Sequence, residues 1–62
     1  MSKSKLQEMR KERGLKQRQL AAMLGKTQQY VAHAERTGIK TARLARIYAR
    51  ALNCNPLEII EL

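Results

Sequence analysis

Three glycines and one proline cut this chain into helix-length pieces, and that punctuation limits the fold more than any other feature. Gly14, Gly25 and Gly38 each follow a helix-like stretch, as C-terminal stop signals do. Pro56 stands just inside the last element, behind Asn55. No segment carries a strand signal. At 62 residues there is room for one domain, spanning residues 3–62, with a thin core. A chain this short buries only ~60% of its extended surface. The expected architecture is all-α: a compact bundle of five short helices.

The first helix is predicted over about Lys3 to Arg13, with Leu6 and Met9 on its apolar stripe and Leu15 beyond the glycine. Arg10 falls on the same face as Leu6, four residues earlier. The second helix runs from about Gln17 to Leu24 with Leu20, Ala21 and Leu24 inward. Lys16 is a poor cap for it. Thr27 caps a third helix from Gln28 to about Arg36, whose inward residues are Val31, Ala34 and Glu35. Arg10 and Glu35 are both charges at core-facing positions, and the simplest resolution is that they pair. After a loop at Thr37 to Lys40, a fourth helix runs from about Thr41 to Leu52. Its apolar positions are Leu44, Ile47, Tyr48, Ala51 and Leu52, with Arg43, Arg46 and Arg50 as a separate stripe. Asn55, Pro56 and Glu58 form the capping signature of a short fifth helix, which supplies Leu57, Ile59, Ile60 and Leu62. Tyr48 reads as core, and Met23 as a partly exposed packing residue.

The net charge is +8, unevenly placed. Residues 1–50 hold all 13 basic residues against Glu8, Glu12 and Glu35, for +10; residues 51–62 hold only Glu58 and Glu61, for −2. One end suits a polyanion, and the other, apolar and acidic, suits self-association. Nucleic acid is the default partner for such a charge. Several classes are excluded as expectations. There is no room for a water-excluding enzyme cleft and no nucleophile–base pair or metal cluster, so no catalysis, cofactor, metal or small-molecule ligand is expected. The single Cys54 cannot form an internal disulfide or a cysteine zinc cage, and fits a reducing, cytoplasmic setting. No apolar run is long enough for a membrane span, and the N-terminal lysines precede no apolar signal segment. With Tyr30 and Tyr48 as the only aromatics, a stacking platform for single strands is disfavoured.

The informative stretch is Gln17 to Arg36. Two helices that meet across a short turn need a small residue at the contact, supplied by Ala21, and a residue free to take positive φ, supplied by Gly25. Leu20, Val31 and Ala34 hold the pair from inside. Gln28, Gln29, Ala32 and His33 are left facing outward, towards a major groove. A glutamine amide presents donor and acceptor in one plane and complements adenine; Gln29 also suits guanine, and Ala32 a thymine methyl. Phosphates fall to Gln17 at a helix N-terminus and to Lys26, Thr27, Arg36, Lys40 and Thr41 around the third helix, with Arg10 as a secondary contact. Tyr30 suits either a phosphate contact or partial packing.

These residues resemble the small helix-turn-helix domain of lambdoid phage repressors and Cro proteins, over residues 3 to 61. The matching features are Arg10-x-x-x-Gly14-Leu15, Gln17-x-x-Leu20-Ala21-x-x-Leu24-Gly25, Thr27-Gln28-Gln29-x-Val31, Glu35, Ala49-x-Ala51-Leu52 and the short terminal helix. The resemblance implies an Arg10–Glu35 pair, base reading by Gln28, Gln29 and His33, an approach of Arg43 to the minor groove, and a core place for Cys54, where the family has a small buried aliphatic residue. The chain departs from the family at Lys26, where an aliphatic residue is usual, at Lys16, and at His33. The leading expectation is a transcriptional repressor binding a palindromic site in double-stranded DNA as a homodimer, with Leu57, Ile59 and Leu62 as the dimer seam. It would act in the cytoplasm of a bacterial or phage-infected cell. The alternatives are an antitoxin or restriction-modification controller on the same fold, and a non-specific basic nucleic-acid binder.

Overall fold

The computed structural model describes residues 4–61. The expected helix start at Lys3 and the expected seam residue Leu62 lie outside the described residues. Four α-helices follow one another: α1 Lys5–Glu12, α2 Gln17–Leu24, α3 Gln28–Thr37 and α4 Ala42–Leu52. A single 3-10 turn, Pro56–Glu58, stands where a fifth helix was expected.

Local chemistry explains each boundary. Ser4, Thr27 and Thr41 are extended N-caps whose hydroxyl oxygens accept from the backbone N–H of Gln7, Tyr30 and Leu44, each at 3.2 Å. Lys16 has no acceptor to offer, and Gln19 compensates: its Oε1 accepts from the Lys16 N–H at 2.8 Å. Gly25, at φ +70°, ends α2, and the Lys26 N–H returns to the Ala21 carbonyl at 2.9 Å. The α3 helix runs one residue past Arg36, and the Thr37 hydroxyl donates back to the His33 carbonyl. Asn53 takes the left-handed conformation that ends α4, where Arg13 adds an unforeseen cap by donating from Nε to the Leu52 carbonyl at 2.9 Å.

The fifth helix fails because tertiary packing recruits its residues. The capping signature does form: Asn55 Oδ1 accepts from the Leu57 N–H, and Glu58 from the Asn55 N–H. One turn later the β-branched pair Ile59-Ile60 leaves the helical path. Ile60 makes an isolated parallel bridge with Ile39, and the Glu61 N–H donates to the Ile39 carbonyl at 2.7 Å. Glu61 also accepts from the Lys5 N–H, so the C-terminal segment ties α1 to the loop after α3. Ile39, read from sequence as a loop residue, is fully buried.

The core gathers Leu6, Leu20, Val31, Ile39, Tyr48, Leu52 and Ile59. On α4 the buried stripe is Ala45, Tyr48, Ala49 and Leu52, not the expected set led by Leu44 and Ile47. The alanines let α4 approach its neighbours, which turns Ile47 out to solvent. Ala34 of α3 is half-buried rather than central, and Cys54 is likewise half-buried.

Tyr48 is buried, and among the described residues its hydroxyl has no hydrogen-bond partner. Its ring stacks on Tyr30, with centroids 6.1 Å apart. Burial, and then the neighbouring Tyr30 and Glu35, push the phenol well above its ordinary pKa of 10.0. The unfolded chain therefore ionises Tyr48 first. This contribution to stability is intact below about pH 10 and is lost as pH rises towards the folded value. Tyr48→Phe removes both the unsatisfied hydroxyl and the titration. It is expected to raise stability by about 1 kcal/mol at neutral pH and to flatten the loss above pH 10, measured by urea denaturation across that range.

Candidate nucleic-acid interface

The α2 and α3 helices meet across Gly25, Lys26 and Thr27, with Leu20 and Ala21 of one and Val31 of the other buried between them. Burying Val31 and Glu35 turns the opposite face of α3 to solvent. Gln28, two turns before Glu35 on the same side of α3, is exposed at the helix start beside Gln17, while Gln29 and His33 are exposed on the opposite face with Ala32 half-buried between them. Arg36 is also exposed and lies one turn beyond Ala32, which brings a fixed positive charge to the same face.

A polar chain runs from the core to this face. The Arg10 guanidinium donates from Nε to Glu35 Oε2, from Nη2 to Glu35 Oε1 at 3.3 Å, and from Nη1 to the Leu15 carbonyl at 2.7 Å. Both side chains are buried, so the pair is a fixed strut between α1 and α3. Gln17 Nε2 donates to Glu35 Oε1 at 2.9 Å, and its Oε1 accepts from Gln28 Nε2 at 3.4 Å. Gln28 thereby spends one N–H inside the protein. It keeps a second N–H and its carbonyl oxygen, the two groups that bidentate pairing with adenine requires. The Gln17–Gln28 link carries no signal in sequence spacing, because it depends on how α2 and α3 cross.

The exposed cations flank this face. Arg10, Lys16, Gln17, Arg18, Gln19 and Gln28 line an open groove of about 570 Å³ at the start of α2. The free N–H groups of that helix end add to its pull on an anion. Arg10 sits at the floor with most of its donors turned inward, which makes it part of the frame rather than one of the exposed cations. Lys26, the departure in the turn, does not reach the core: its Nζ lies 5.3 Å from the centroid of the Tyr30 ring, a cation–π arrangement. Lys40, Thr41 and Arg43 are exposed around the start of α4.

The expected dimer seam is corrected in part. Ile59 is fully buried within its own chain and is unavailable to a partner, because the bridge to Ile39 draws this segment inward. Leu57 is 75% exposed. Among the described residues no group of three or more His, Cys, Asp and Glu is placed to hold a metal, and no helix is long and apolar enough to cross a membrane. Comparison with known families finds a match to a family model described as helix-turn-helix, over residues 6–59. No curated protein and no solved structure matches the chain.

Proposed function

From the premise that the chain belongs to the Cro/C1-type helix-turn-helix family, a family of DNA-binding regulators, we propose that it is a transcriptional repressor that reads a palindromic site in double-stranded DNA as a homodimer. The observation that carries this reading is the exposed Gln28 amide, oriented from behind by Gln17 and, through Glu35, by Arg10. A reader held by a buried strut keeps its geometry before the DNA arrives, so less ordering entropy is lost on binding.

In this reading α3 enters the major groove. Gln28 and Gln29 pair with base edges, His33 reaches a base one turn further on, and Ala32 meets a thymine methyl. Gln17, Lys26, Thr27, Arg36, Lys40 and Thr41 hold phosphates, and Arg43 approaches the minor groove. The neutral residues choose sequence, and the cations fix register. The place of action is the bacterial cytoplasm.

Selection of bound sites from a random double-stranded DNA pool tests the reading. The expected result is a bipartite, palindromic consensus with half-sites about 10 bp apart. Recovery of no preferred sequence would overturn it in favour of a non-specific binder.

A further inference from the structure

Among the described residues three large apolar side chains are exposed: Met23 at 54%, Ile47 at 41% and Leu57 at 75%. Two of them share a site. Met23 and Ile47, with Leu24 and Ala51, line a groove of about 300 Å³ between the end of α2 and the outer face of α4, and Arg46 and Arg50 form its rim. Neither arginine has an ion pair or hydrogen-bond partner among the described residues.

Leu57 has the complementary character. It projects from the 3-10 turn, whose geometry is pinned by the Asn55 Oδ1 to Leu57 N–H bond. Glu58 beside it is exposed and uses Oε2 on the Asn55 N–H, leaving Oε1 open. The segment around them, residues 51–62, carries −2 and no basic residue. An apolar knob beside a carboxylate thus matches an apolar groove beside two unpaired guanidinium groups. Within one chain Arg50 and Glu58 line a neighbouring open pocket without forming an ion pair among the described residues, and both Leu57 and the Met23–Ile47 groove stay open to solvent.

The geometry points to a second copy of this chain as the occupant: Leu57 of one protomer enters the Met23–Ile47 groove of the other, and Glu58 faces Arg46 and Arg50 across the seam. This rests on the dimer proposed above and replaces its seam with a specific one. Two-fold symmetry makes the contact twice, because each surface has its complement on the same molecule. The buried patch is small, so the free dimer is weak. Adjacent half-sites compensate by raising the effective protein concentration towards the millimolar range.

Sedimentation equilibrium of the full chain up to about 1 mM tests this. The wild type is expected to dimerise with increasing concentration. Leu57→Lys and Ile47→Glu, each checked for helical content, should each weaken dimerisation at least about tenfold. An equimolar mixture of the two variants should recover the dimer, since one contact stays apolar and the other becomes a Lys–Glu pair. If Ile47→Glu does not fold, Met23→Glu takes its place. A wild type monomeric throughout, an Ile47→Glu variant that dimerises normally, or a mixture that stays monomeric overturns the proposal. The second of these is the pattern of two Leu57 side chains meeting on the symmetry axis. A failure here leaves sequence preference on single half-sites intact, whereas failure of site selection with a successful mixing experiment would sink the DNA reading alone.

Discussion

Arg10→Met is expected to abolish the cooperative folded state at room temperature. Glu35 is 6% exposed and would be left in the core with only the Gln17 amide to serve its charge. Removing one member of a buried ion pair costs about 3–5 kcal/mol. A domain of this size rarely holds more than about 3–5 kcal/mol in total. The Leu15 carbonyl also loses its donor, which loosens the α1–α2 connection. Circular dichroism and a urea titration check this, and a variant that melts within about 1 kcal/mol of wild type would contradict it. The double change Arg10→Met with Glu35→Leu should fold again, because apolar residues of similar volume replace a buried pair at little cost. That double variant would still lack the anchor of Gln17. It is expected to bind DNA with weakened choice at the base read by Gln28, which separates the strut's structural role from its orienting one.

Raising salt from about 50 to 200 mM is expected to weaken binding to a selected site by about a thousandfold or more, the range for six or more phosphate contacts. In the proposed complex the exposed cations Lys26, Arg36, Lys40 and Arg43 are the expected sources of that dependence. Lys40→Ala should lower the log–log salt slope by about one while leaving the preferred sequence unchanged. Gln28→Ala should do the opposite: the slope holds, affinity for the preferred site falls by about 1–3 kcal/mol per half-site, and choice relaxes at one position. Binding isotherms at several salt concentrations against the selected site and its single-base variants distinguish these outcomes. Identical behaviour of the two variants would reject the division between readers and phosphate contacts.

Which parts of the fold were legible in the sequence follows from the range of the interactions involved. Ser, Thr and Asn caps act on backbone groups two or three residues away, and Gly25 acts on its own dihedral. The α2 and α3 boundaries therefore lay in the chain almost as the structure has them. The Arg10–Glu35 contact was accessible by a different route, because a charge on an apolar stripe demands a partner and these were the two so placed. On α4 the apolar periodicity alone does not select the buried face. Counting large apolar residues favours Leu44 and Ile47, but close helix packing favours Ala45 and Ala49, and the contact decides. The end of the chain departs from its local signal for a similar reason. The Asn55 capping signature is local and it forms, but the bridge from Ile39 to Ile60 comes from a loop far earlier in the chain.

The sequence by itself determined the four α-helices, the Thr27 and Asn55 caps, the turn between α2 and α3, the exposure of Gln28, Gln29 and His33, and the separation of a basic segment, residues 1–50, from an acidic one, residues 51–62. All of these follow from spacing within about one or two helical turns. Only the tertiary structure decided that Gln28 is held by Gln17, that Arg13 caps α4, that Ile59 belongs to the core, and that Leu57 and the Met23–Ile47 groove are left uncovered. Those outcomes depend on distances between residues far apart in the chain, set by how the helices cross. Helical periodicity specifies which face a residue occupies but not which neighbour meets it there.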